Sequence, residues 1–177
     1  MKGHKSIIKF FILMFIIFGY SQSGMSQSYR TAVGFRLGKN IMFSATQRIV
    51  KKTTIDLYHE TSLFSDKSFT ALAGKRHFPL ITKRLNVFLG AGPFHQFAWI
   101  QSPNDVASTP YHSGGLVANA GLDFTIGRLN IGYDIMPVVH LVGDGGDRKF
   151  YTQSGIALRY VIIKQPSKFK KWFKRKR

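Results

Sequence analysis

The stretch that decides the fold is LVANAGLDFTI (residues 116–126), GR (127–128) and LNIGYDIMPVVH (129–140). Leu116, Ala118, Ala120, Leu122, Phe124 and Ile126 share one parity, while Val117, Asn119, Gly121, Asp123 and Thr125 share the other. Successive residues of a strand point to opposite faces, so this segment is apolar on one side and small or polar on its reverse. The next segment repeats the pattern, with Leu129, Ile131, Tyr133, Ile135, Pro137 and Val139 opposing Asn130, Gly132, Asp134, Met136, Val138 and His140. Gly127 and Arg128 fit a tight hairpin turn between them.

Working outward from this hairpin, eight segments alternate in the same way, roughly 29–38, 40–50, 52–62, 68–78, 85–99, 114–126, 129–141 and 150–162. Several exceed the usual five or six residues of a soluble strand and approach the ten or so that a tilted strand needs to cross a bilayer. No stretch past the N-terminal region reaches eighteen consecutive apolar residues, so a spanning helix is not expected there. The expected fold is therefore all-β, an eight-stranded antiparallel transmembrane up-and-down β-barrel over residues 27–163.

Charge supplies the inside and the outside. A mid-bilayer Arg or Lys on the lipid face costs roughly 2 to 4 kcal/mol, so ionised residues belong on the lumen parity. Arg36, Arg48, Asp56, Glu60, Asp123, Asp134 and Arg159 all oppose apolar neighbours and are expected to form an interior ionic network. Small residues, Gly34, Gly74, Gly90, Gly121, Gly132 and Gly155, would make room for them. Lys75 and Arg76 are adjacent and cannot both face inward, so one belongs near a membrane interface. A barrel of eight strands is filled by its own side chains, which argues against an open pore.

With the N-terminus on the periplasmic side, the inner connections fall around Lys51, His77 to Arg84, and Gly127 to Arg128. The outer ones are Gly38 to Asn40, Leu63 to Lys67, Gln101 to Ser113, and Val142 to Lys149. The first two outer connections are short and the last two long, so the inside–outside asymmetry of transmembrane barrels holds in the second half only.

Composition agrees with an exported chain. Among 177 residues there is no cysteine, which excludes a disulfide framework, thiol chemistry and a zinc–cysteine site. The formal charge of +18 is concentrated at the ends: Lys2, Lys5 and Lys9 precede the apolar run, and eight of the last fourteen residues are basic. No basic recognition helix is visible within the strand-rich part, so no nucleic-acid partner is expected. Met1 to Lys9, the apolar run Phe10 to Phe18 and the small residues of Gly19 to Ser26 have the three-part pattern of a cleaved secretory signal. Cleavage fits after Ser21 or Ser26, and the second gives a signal peptide of residues 1–26. The run is too short for a spanning anchor.

With these features the chain resembles small eight-stranded outer-membrane β-barrel proteins of Gram-negative bacteria, in particular a group of short, uncharacterised barrels. The residues that carry the resemblance are Gly90, Gly92 and Pro93, then Leu129, Asn130, Asp134 and Pro137, and finally Arg159 with Tyr160. It implies the barrel fold and the outer membrane, and brings no activity with it. The basic tail beyond Ile163 departs from barrels that end on an aromatic residue, and Tyr160 is the stand-in.

Catalytic and metal chemistry find little support. Some barrels are lipid A deacylases or acyl transferases, which need a serine and a histidine in reach of each other. His112 and Ser113 are adjacent in the third outer connection, and Glu60, Ser62 and His140 lie at outer ends without the spacing of such a site. The six histidines show no metal-ligand spacing. Asp144 to Asp147 reads as turn chemistry rather than a calcium loop. Gly90 to Gly92 has no helix behind it to hold a phosphate. No catalytic residue, cofactor or metal is assigned.

The expected role is that of a monomeric outer-membrane barrel, structural or contacting a surface ligand through its outer loops, with outer-membrane lipid as the constant partner. A lipid-modifying barrel enzyme is the alternative. A soluble lipocalin-like barrel would need an apolar interior and a charged exterior.

In the tail, residues 164–177, Phe169, Trp172 and Phe173 fall on one helical face with Lys170, Lys171, Lys174 and Arg175 around it, the pattern of a helix lying on an anionic membrane surface. A peptide covering residues 164–177 is expected to gain helical circular dichroism on vesicles containing anionic lipid. An unchanged coil spectrum removes that reading.

Overall fold

In the computed structural model, which describes residues 29–60, 67–80, 82, 84–100, 109–143 and 149–164, the chain forms eight strands. They are β1 (Tyr29–Gly38), β2 (Ile41–Val50), β3 (Thr53–Glu60), β4 (Lys67–Pro79), β5 (Leu85–Ile100), β6 (Thr109–Ile126), β7 (Leu129–Val142) and β8 (Phe150–Lys164). Each pairs antiparallel with the next, and β8 pairs with β1 from Tyr29↔Lys164 to Gly38↔Gly155, which closes the barrel. The expected signal segment, residues 1–26, and the tail beyond Lys164 lie outside the described residues.

Both the first and the last strand meet the same end of the barrel, here called the terminus side. The connections at that end are residues 51–52, 80–84 and 127–128, whereas the far side has 39–40, 61–66, 101–108 and 143–149. Two sequence boundaries move. Strand β4 runs to Pro79, so His77 belongs to a strand and not to a connection. Strand β6 begins at Thr109, so the third far-side connection is shorter than Gln101 to Ser113, and His112 and Ser113 belong to the sheet.

The local chemistry of the turns agrees with their sequences. Gly127 has φ +60° at the first central position of the β6–β7 hairpin, the left-handed conformation that a type II′ turn requires there. In the β2–β3 turn the same region is occupied by Lys52, at φ 68°, beside a register shift between Arg48 and Val50.

Alternation survives along the strands. On β7, Asn130, Gly132, Asp134, Met136, Val138 and His140 are buried, while Leu129, Ile131, Tyr133, Ile135, Val139 and Leu141 are exposed. The same holds on β6, where Asn119, Asp123 and Thr125 are buried between exposed Leu116, Leu122, Phe124 and Ile126. Burial here means facing the barrel axis, so the ionised groups of these strands are inside, together with Val117, Met136 and Val138, and their outward positions are mostly apolar.

Interior volume is shared between rings and glycines on neighbouring strands. Phe88 pairs in register with Gly121, and Phe94 with Gly115. A Cβ added at Gly121 would come within 2.8 Å of the Phe88 ring, and one at Gly115 within 2.9 Å of the Phe94 ring. At both glycines the β7 backbone is nearer still, at Tyr133 O and Val139 O respectively, so ring and neighbouring strand together leave no room for a side chain. Gly74, expected on the lumen side, instead has the outward parity, because Ala71, Ala73 and Lys75 take the inward positions of β4.

Gly121→Val is expected to push on both the β7 backbone at Tyr133 and the Phe88 ring and to lower the stability of the folded barrel by about 3 kcal/mol or more, the upper end of overpacking costs. Gly74→Val, whose Cβ would meet nothing nearer than Ala91 O at 3.9 Å, is expected to be tolerated. Urea unfolding of both variants in lipid vesicles compares them directly.

Candidate functional site

The centre of the lumen is ionic. On β1, Arg36 reaches Asp134 of β7, with Nη2 and Nε each 2.7 Å from Oδ1. Gly155 of β8 permits this, because a Cβ there would approach the guanidinium carbon of Arg36 to 2.9 Å. On β4, Lys75 Nζ lies 3.0 Å from Asp56 Oδ2 of β3 and also donates to Tyr58 Oη. Its ammonium sits 4.2 Å from the centroid of Phe88, so the cation is held by a carboxylate, a phenol and an aromatic face together.

Arg159 of β8 links these groups. Its Nε donates to Ser44 Oγ at 2.8 Å, its Nη1 donates to Asn130 Oδ1 at 3.2 Å, and its Nη2 lies 3.8 Å from Asp56. Asp56 also accepts from the hydroxyls of Thr46 and Thr54 at 3.0 and 2.9 Å.

Nearer the terminus side, Asp123 accepts from Tyr29 Oη at 3.1 Å and Asn86 Nδ2 at 3.0 Å, with His77 Nδ1 at 3.5 Å. Three buried cations, Arg36, Lys75 and Arg159, thus accompany the three buried carboxylates of this network, Asp56, Asp123 and Asp134, while a fourth, Glu60, lies apart at the far end. Carboxylates with several donors and cations with several acceptors meet the condition for leaving such groups out of water.

Toward the far side the filling becomes apolar. Met42, Phe69, Phe94, Val117, Met136 and Val138 pack together, and the rings of Phe69 and Phe94 stack with centroids 5.2 Å apart. His140 meets the Phe94 ring edge to face at 4.9 Å. Ionic centre and apolar plug together occupy the axis. The arrangement can hold a barrel rigid.

Of the sequence-derived set, Arg36, Asp56, Asp123, Asp134 and Arg159 are brought together by five different strands. Arg48 shares the inward parity but is only half-buried, near the terminus-side end of β2. Glu60 lies at the far end of β3 and accepts from Asn40 Nδ2, apart from the central pairs. Phe169, Lys170, Lys171, Trp172, Phe173, Lys174 and Arg175 lie outside the described residues.

Lys75, His77, Tyr29, Tyr58 and Asn86 were not expected in the network. The signal for Lys75 was present: Leu72, Arg76 and Phe78 share a parity, and the bulky apolar members mark that face as outward, leaving Lys75 inside with Ala71 and Ala73.

The adjacent candidates His112 and Ser113 face opposite ways, whereas Ser113 and His140 both face inward on paired strands, with His140 in register with Gly115. His112 is exposed on the outer wall, its Nδ1 3.3 Å from His95 Nε2, while Ser113 points into the barrel. Ser113 Oγ and His140 Nδ1 are buried with no hydrogen-bond partner, and neither bonds the other. Glu60 is engaged by Asn40. Ser62 lies outside the described residues. Among the described residues no group of three or more His, Cys, Asp or Glu could hold a metal ion.

The crystal structure of the N-terminal β-barrel domain of Pseudomonas aeruginosa OprF superposes on the chain with a TM-score of 0.54, covering 76% of this chain and 98% of that one. The two share one fold. Sequence identity is 12%, so the likeness speaks for architecture alone. No family model matches the chain, and no curated protein matches it by sequence.

Removing one partner of a buried pair leaves an uncompensated charge, at a cost of about 3 to 5 kcal/mol. Asp134→Leu alone is expected to destabilise the barrel by that order through Arg36. The double variant Arg36→Met with Asp134→Leu is expected to recover most of the loss. A double-mutant cycle in vesicles measures the coupling, and additive losses would show that the pair is not coupled.

Proposed function

We propose that the protein is an outer-membrane β-barrel with a structural or surface-contacting role and a closed interior. The observation that carries this reading is the apolar belt on the outer wall. Phe35, Phe43, Leu57, Leu72, Leu89, Leu116, Leu122, Ile131 and Leu158 are all exposed, and together they represent every strand. A surface of that kind far exceeds the apolar patch of a few hundred Å² that soluble monomers tolerate, and hydrocarbon is the solvent that suits it.

Several features support the finer parts of the proposal. Seven or more residues separate the strands at two of the far-side connections, so contacts with a surface ligand or protein would be made there, foremost through residues 101–108. A filled axis suits a component that does not conduct. The opposed directions of His112 and Ser113 favour a non-enzymatic role over lipid modification. A monomer surrounded by lipid fits the closed sheet, which leaves no strand edge for pairing with a second copy.

Envelope fractionation with heat-dependent gel mobility tests the reading. The protein is expected in the outer-membrane fraction, migrating differently before and after boiling. Recovery from the soluble periplasmic fraction overturns it. In planar bilayers the folded protein is expected to give no stable conductance steps, and reproducible steps would contradict the closed interior.

A further inference from the structure

Outside the lumen, the strongest charge feature of the described surface is a collar at the terminus side. Arg30, Lys51, Arg76, Arg84, Arg128 and Lys164 are all exposed there. Nothing acidic offsets them: the four described carboxylates, Asp56, Glu60, Asp123 and Asp134, are buried. The other four acidic residues, Asp66, Asp105, Asp144 and Asp147, fall in the far-side connections. Those four are matched in number by Lys39, Lys67, Arg148 and Lys149 at the same far-side connections and strand ends, so the excess of positive charge lies at the terminus side.

Position on the wall says what the collar meets. The guanidinium of Arg76 stands 5.8 Å from the centroid of the outward Phe78 ring. That of Arg128 stands 5.7 Å from the Tyr160 ring and donates through Nη1 to Tyr160 Oη at 2.9 Å. Tyr160 shares the outward parity of Leu158 and Ile162, and Phe78 that of Leu72, so these cations are presented sideways at the border of the apolar belt. Aromatic rings with cations reaching past them mark the headgroup level of a bilayer. Guanidinium groups match phosphate oxygens in pairs.

We propose that this collar binds the phosphates of anionic glycerophospholipids in the leaflet that borders the terminus side, and so selects the lipid next to the barrel. The inference rests on the membrane reading and adds a lipid preference to it. A soluble polyanion would need no apolar border, whereas Arg76 has the outward parity of β4 and Arg128 donates to the hydroxyl of outward Tyr160, so both cations adjoin the apolar belt.

The test reconstitutes the protein and an Arg76→Gln/Arg84→Gln/Arg128→Gln variant in phosphatidylcholine vesicles. Spin-labelled phosphatidylglycerol and spin-labelled phosphatidylcholine then report which lipid occupies the first shell. Both proteins keep residues 164–177, so any effect of the basic tail is common to them. The native protein is expected to prefer phosphatidylglycerol to phosphatidylcholine, and the variant's preference to lie about fivefold or more below the native value, the effect of losing at least one cation near an anionic surface.

A ratio of one for the native protein, or an unchanged ratio in the variant, overturns the proposal while leaving the barrel reading intact. Binding of a soluble anionic polysaccharide without any phosphatidylglycerol preference overturns it as well. A native chain that never acquires heat-dependent mobility in the vesicles overturns the membrane reading and this inference together.

Discussion

An eight-stranded sheet laid flat would expose two rows of unpaired N–H and C=O groups, and in hydrocarbon no water is present to satisfy them. The pairing of β1 with β8 removes both rows. Every other feature of the molecule depends on that closure. Once the sheet is a cylinder, each strand has one face toward the axis and one toward the surroundings, and the side-chain period of two becomes a division between inside and outside. A slip of one residue at any interface would exchange the faces, carrying Asp123 or Arg159 to the wall and Leu122 or Leu158 to the axis. The ionic lumen therefore does more than fill space, because it penalises wrong registers on the strands it links.

The filling also explains where the glycines are. Arg36 lies over Gly155, Phe88 over Gly121 and Phe94 over Gly115, each glycine accommodating a large group from another strand. A narrow cylinder cannot hold a large side chain at every inward position. Alternating bulk with absence across neighbouring strands lets arginine and phenylalanine lie flat across the axis. The result is a core made of two materials, ion pairs in the middle and rings toward the far side.

Most of this was legible in the sequence because the period-two signal is strong wherever one face is entirely apolar, as from Leu116 to His140. Ion-bearing positions on such strands could be assigned to the lumen one by one, which placed Arg36, Asp56, Asp123, Asp134 and Arg159. Legibility ended where a face was mixed. On β4 two adjacent cations gave no parity by charge alone, and His77 beside Pro79 looked like the start of a turn. The partners of each carboxylate were not readable either, because Lys75 meets Asp56 across one strand interface whereas Arg159 reaches it across the barrel axis. The apolar plug was missed for a different reason. Phe69, Phe88 and Phe94 face inward against the simple division, and only the cross-strand register shows the glycines that make room for two of them.

The central claim is that acyl chains surround the wall while ionised groups stay at the axis. The absence of cysteine allows a single cysteine to be introduced and labelled without a background. The most direct measurement places a bimane fluorophore in turn at Leu122, Ile131 and Leu158 of the vesicle-inserted protein and adds phospholipids brominated along their acyl chains. Strong quenching is expected at all three positions, with little effect from a water-soluble quencher. Quenching by the aqueous reagent instead, with brominated lipid inert, would contradict the claim.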